Sequence, residues 1–210
     1  MKWKLASLFT GLLMVLAAMF GTIAAPGSAE AAQVKRLIFA SAGFHESNRY
    51  WTIARPDHLQ FEPFWETLIG IDPKTGAYIP QLATSWEHSP DFKTWTFHLR
   101  KGVQFNNGYG EFTSADVKHN LGLITRKDST ATLGPLWRTV EVVETPDKYT
   151  AVFHFKKPLM PTSLFAFSRS GDLRMSSKAQ WDKEGIAGLD KHPAGTGPFQ
   201  YVSRTMGLSV

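Results

Sequence analysis

Residues 86–120 read WEHSPDFKTWTFHLRKGVQFNNGYGEFTSADVKHN, which is a strand, a turn, a glycine-marked loop and a capped helix in one string. Between 93 and 100, Trp95, Phe97 and Leu99 alternate with Thr94, Thr96, His98 and Arg100. A period of two puts the apolar set on one face of a half-buried strand. Asn107-Gly108 follows, a pair that tolerates positive φ and marks a turn. Thr113 and Asp116 stand at the capping-box spacing ahead of Val117, Leu121 and Ile124, which predicts the start of a helix. The remaining elements are placed outward from this unit.

Upstream, residues 61–68 predict a short helix and 72–76, Asp-Pro-Lys-Thr-Gly, a turn. The apolar run 34–40 reads as a buried strand, and residues 41–60 are irregular, with many aromatic and charged residues. Downstream, 130–139 is a second irregular stretch. Residues 140–144 and 149–156 predict a hairpin around 145–148, its second strand alternating Tyr149, Ala151, Phe153 and Phe155 with polar residues and Val152. Pro158 and Pro161 end the sheet; short helices are expected at 162–167 and 176–183, and a strand at 199–202. Trp86, Trp95, Phe97 and Phe105 are expected in the core.

Residues 192–199 read HPAGTGPF, and 64–68, FWETL, precede 79–86, IPQLATSW. Taken in order with the 86–120 string, these segments resemble the extracytoplasmic solute-binding proteins of family 5, the dipeptide-, oligopeptide- and nickel-binding receptors of ABC importers. The resemblance covers roughly residues 59–202. It implies an α/β fold: a periplasmic-binding-protein-like (type II) lobe with an inserted smaller α+β subdomain. On that basis 71–157 is the inserted subdomain, and 32–70 with 158–210 form the main part of lobe one. Family members run more than twice this length, so the second lobe is expected to be absent from this chain, which then reads as truncated. The competing expectation is a naturally short, one-lobe protein.

Residues 1–31 carry the marks of a secretory signal peptide. Lys2 and Lys4 precede an apolar stretch at 8–20, then Pro26 and Gly27, and Ala29-Glu-Ala31 is a small-residue cleavage site. The rival reading is a retained signal anchor, since 5–25 nearly reaches the length of a membrane span. Cleavage near Ala31 implies export to a periplasm-like compartment. With no cysteine the chain can form no disulfide framework, so its stability rests on an ordinary core. The net charge is +5, with no basic run longer than two residues, which gives no stripe for nucleic acid.

No catalytic set emerges. The seven histidines (His45, His58, His88, His98, His119, His154 and His192) show neither H-x-H nor H-E-x-x-H spacing, so no metal site and no cofactor is expected. Gly195-Thr-Gly197 precedes Pro-Phe and not Lys-Ser/Thr, so it is no phosphate loop; its glycines suit a tight backbone path. The resemblance places lobe-one ligand contacts in the loop after the first strand and around the subdomain junction. By position these are Phe44, His45 and Trp51, then Trp137 and Arg169. Arginine grips carboxylates bidentately, and tryptophan walls a polar cleft. The alternative for the tryptophans is core packing, and for Arg169 a solvated surface.

The expectation is therefore a periplasmic substrate-binding component of an ABC transporter, with a peptide or small-molecule ligand and an inner-membrane permease as partners, monomeric when intact and not an enzyme. The alternatives are a secreted α/β hydrolytic enzyme and a non-transport sensory or chaperone-like binding protein.

Overall fold

A computed structural model describes residues 47–52, 60–160, 165–166 and 173–205. The leader, the strand at 34–40 and most of the helix at 162–167 lie outside the described residues. Everything described falls within one unit, 41–210.

Its centre is a four-stranded antiparallel sheet. Strands β3 (Ala83–His88), β4 (Thr94–Leu99), β5 (Val140–Asp147) and β6 (Thr150–Phe155) run in the order β3-β4-β6-β5. A separate hairpin pairs β1 (Ile69–Ile71) with β2 (Tyr78–Pro80) around the Asp72 turn, where Gly76 takes a φ of 72°. Trp95, Phe97 and Leu99 of β4 and Ala151, Phe153 and Phe155 of β6 are all buried, as the alternation requires. Phe97 pairs with Ala151, and that small partner leaves room for the Phe97 and Phe153 rings to meet edge-on at 5.6 Å. Phe165 fills the space above them, 4.4 Å from Phe97 and 4.8 Å from Phe153. Each such ring contributes roughly 1.5–3 kcal/mol by leaving water.

Helix α1 (Ser114–Ile124) covers the sheet with Val117, Leu121 and Ile124. The Asp116 carboxylate accepts from the Thr113 N–H at 2.8 Å and from its hydroxyl at 3.0 Å, closing the capping box. Ser114 donates through its N–H to the Lys148 carbonyl at 2.8 Å, fastening the helix start to the β5–β6 turn. Asn107 and Gly108 hold φ values of 64° and 74°, the left-handed turn read from their identities. A short α2 (Gly134–Trp137) and a longer α3 (Lys178–Lys191) complete the elements. Trp95, Phe97 and Phe105 are buried, and Trp86 packs half-buried against them.

Four expectations are corrected. Residues 61–68 form one turn and then irregular chain, not a helix. Their carbonyls are taken by neighbours: Pro63 accepts from Phe199, Phe64 from Gly197, Glu66 from Met175 and Leu68 from Ala83, each at 2.9–3.0 Å. These tertiary bonds outweigh local helix preference. Strand β5 runs on to Asp147 and includes Pro146, which an edge strand tolerates because no ladder bond is lost there. Helix α3 continues past 183, but Gly185 breaks it with φ 59° and ψ −150°, a conformation open only to glycine. Residues 199–202 begin with a bend and join no ladder among the described residues; the Phe199 N–H is spent on the Pro63 carbonyl.

Candidate functional site

Of the five residues singled out, Phe44, His45 and Arg169 lie outside the described residues. Trp51 and Trp137 are described, and both are sealed, at 1% and 0% exposure. They occupy different clusters. Trp137 stands edge-on to Phe165 at 5.2 Å in the main core. Trp51 belongs to a second cluster with Tyr50, Phe61, Phe64, Trp65, Leu123 and Leu189.

The segment 47–52, which ends in a 3-10 turn at Tyr50–Thr52, is anchored to its surroundings by side-chain hydrogen bonds. Asn48, fully buried, receives a bond from Arg204 at 2.6 Å and donates through its amide to the Asp190 carbonyl at 2.8 Å. The Asp190 carboxylate accepts from the Asn48 N–H at 3.0 Å and from Arg49 at 2.7–2.8 Å. Tyr50 donates to Asn120 Oδ1 at 2.5 Å, and burial pushes its phenol well above the usual range. Asn120 Oδ1 also accepts from the Ser176 N–H and hydroxyl, while its amide donates to the Asp116 and Ser176 carbonyls. One buried amide thereby ties segment 47–52, α1 and the entry to α3 together. Asp116 adds a further tie, accepting from the Lys178 N–H at 2.9 Å where α3 begins. Burial raises the Asp116 carboxyl, and these bonds oppose the rise.

A second junction joins the two signature segments. The Asn106 N–H donates to the Gly195 carbonyl at 2.8 Å and its amide to the Phe199 carbonyl at 3.1 Å. Asn107 donates to the His192 carbonyl at 3.3 Å and bonds to Gln200. A Cβ on Gly195 would lie 1.7 Å from the Phe64 carbonyl oxygen, and one on Gly197 2.6 Å from that of Pro63. Both glycines serve close backbone approach. Glu184, projected at the α3 break, accepts from the Tyr109 hydroxyl and faces His192 Nε2 at 3.3 Å. That hydroxyl holds the Glu184 carboxyl below the usual range, and the same bond raises the Tyr109 phenol. Sequence reasoning took this stretch as a turn only. Two adjacent carboxamides beside glycine were the available signal for a loop that binds another loop.

Among the described residues no group of three His, Asp or Glu side chains is placed to hold a metal, and no helix is long and apolar enough to cross a membrane. What the arrangement offers is a rigid frame that immobilises segment 47–52 and the chain leaving GTGP.

A frame of this kind, an antiparallel subdomain capped by a helix and locked to a glycine loop, is that of a type II periplasmic-binding-protein lobe. The chain belongs to the bacterial extracellular solute-binding proteins, family 5, whose middle-region model matches residues 77–210. It is 30% identical over 141 residues to the glutathione-binding protein of Pectobacterium atrosepticum, a stretch covering 67% of this chain and 26% of that protein. Against the periplasmic oligopeptide-binding protein of Haemophilus influenzae the identity is 33% over 108 residues, covering 40% of this chain and 18% of that one. Its structure superposes on the periplasmic binding protein AgaA of A. tumefaciens, solved with agropinic acid, with a TM-score of 0.68 at 27% identity, covering 79% of this chain and 33% of the other. The Helicobacter pylori protein DppA, solved with the peptide STSA, gives 0.64 at 25% identity over 77% and 35%. The chain thus spans about a quarter of the length of the curated relatives it matches.

Proposed function

We infer that this chain supplies part of the first lobe of a periplasmic receptor that hands peptides or related small solutes to an ABC permease. The observation that carries the reading is the locked junction between 105–110 and 192–200, which joins the family's two signature segments into one frame. Residues 71–157 act as the inserted subdomain, and the receptor is exported by cleavage near Ala31. The receptor has no catalytic role and acts as a monomer when intact. Phe44, His45 and Arg169 are the proposed ligand contacts; Trp51 and Trp137, sealed at 1% and 0% exposure, serve core packing. Support comes from family membership and from relatives named for glutathione and oligopeptide binding.

The test has two parts: reading the genomic frame beyond codon 210, and X-ray scattering of the resulting receptor with di- to tetrapeptides, glutathione and opine-type conjugates. Ligand-dependent compaction with one of these classes is expected, since lobes of this kind close about a hinge. Indifference of both the scattering profile and the melting temperature to all of them would sink the transport reading.

A further inference from the structure

A groove of about 460 Å³ opens between α1 and the first turn of α3, within the size range of small-ligand pockets. One wall is the half-buried indole of Trp181, propped edge-on by Trp51 at 5.8 Å and flanked by the His119 ring at 5.5 Å. The floor is formed by Ala115 and Gly122, and a Cβ built on Gly122 would meet nothing within 4 Å. The rim carries Lys118, Arg126 and Lys178, and no carboxylate is among the lining residues.

Two of the three cations are already committed. Asp128 grips Arg126 bidentately at 2.9 and 3.0 Å, which holds the guanidinium over both the Trp51 and Trp181 rings. Asp182 tethers Lys178. Lys118 is exposed and has no ion-pair partner among the described residues. His119 Nε2 is buried without a hydrogen-bond partner, a group left with unmet bonding capacity. Burial, reinforced by nearby Lys178, brings the imidazole down to about 4, so it stands neutral at physiological pH.

A half-buried indole wall and one uncommitted lysine over a floor of only Ala115 and Gly122 ask for a flat, anionic ligand. We propose that this groove binds a small aromatic carboxylate, its ring laid along Trp181 across Gly122 and its carboxylate held by Lys118, the one rim cation without an ion-pair partner among the described residues. Inorganic phosphate would satisfy the rim but leave the aromatic wall unused. The site stands on its own geometry, so its failure leaves the transport reading untouched, and the reverse also holds.

The experiment is a titration of the 210-residue chain at pH 7, following the side-chain NMR signals of Trp181 and His119. Indole-3-acetate and benzoate are the probes; acetate and phosphate test charge alone, and indole tests the ring alone. Saturable shifts are expected with the aromatic acids, with acetate, phosphate and indole at least tenfold weaker. Trp181→Leu is expected to weaken indole-3-acetate at least tenfold. Lys118→Glu, an exposed change that leaves the core alone, is expected to do the same with unchanged thermal stability. Equal binding of acetate or phosphate, undiminished binding by Lys118→Glu, or no shift at the solubility limit overturns the proposal.

Discussion

In the sheet built from β3 to β6 apolar side chains do the holding, whereas where 195–199 meets 63–64 and Asn106 the backbone N–H and carbonyl groups do. Phe97, Phe153 and Phe165 converge in the sheet core with no polar partner needed. At the junction, backbone carbonyls and N–H groups from three separated segments meet at 2.8–3.0 Å, and two glycines leave no room for a Cβ. The first region is sensitive to lost volume, the second to added volume. A glycine-rich motif in such a fold marks the place where two stretches of backbone touch.

The largest effect expected from breaking that contrast is in the sheet. Phe97→Ala removes a fully buried ring and should cost about 3–5 kcal/mol in urea unfolding. A loss under about 1 kcal/mol would mean the core refills easily and the contrast is false. Next comes Gly195→Ala, which adds one methyl group where 1.7 Å is available. Overpacking of this kind costs about 1–3 kcal/mol or more. Hydrogen exchange should locate the damage: the Asn106 and Gly197 amides, bonded to Gly195 and Phe64 carbonyls, lose protection while the β4 and β6 amides keep theirs. Uniform loss across both regions would show that they are one cooperative unit.

The same contrast explains what the sequence disclosed. Alternation in β4 and β6 and the Thr113–Asp116 spacing are local, so each was readable within a few residues. Residues 61–68 were not, because their conformation is dictated by N–H groups from 175, 197 and 199 that no local window contains. The 199–202 segment misled for the same reason: its β-forming residues are bonded to a turn and not to a strand. For the site, position within the family resemblance drew notice to Trp51 and Trp137, yet a tryptophan reads alike for a ligand wall and a sealed core. Asn48, buried and bonded on both its amide atoms, has an exposed-type identity and gave no signal at all.

A third effect sharpens where the two regions meet, because His119 sits on α1 but faces α3 through Trp181. Burial depresses its folded value from 6.5 to about 4, so the folded state binds fewer protons than the unfolded one. Its contribution is therefore fully present above about 6.5 and lost as pH falls toward 4. Discounted for partial exposure, the effect is about 1–2 kcal/mol. Asp116, raised by burial, acts in the opposite sense and strengthens the fold on acidification. The difference between wild type and His119→Gln isolates the histidine: the variant should lose less stability than wild type between about pH 7 and 4.5. Parallel pH profiles would place the imidazole in contact with water.

The smallest effect reverses a sign. Gly122 is, like Gly195, a glycine in a well-ordered segment, but it lies inside α1, and a methyl group added there would have nothing within 4 Å. Gly122→Ala removes backbone freedom from the unfolded chain and adds helix propensity, so it should stabilise by about 0.5–1 kcal/mol. One substitution, glycine to alanine, is thus expected to raise the melting temperature at one site and collapse local protection at the other. If both glycines responded alike, close approach would not be what separates the junction from the helix. The Gly195 clash would then be relieved by a backbone shift that the tertiary hydrogen bonds at Phe64 and Pro63 fail to resist.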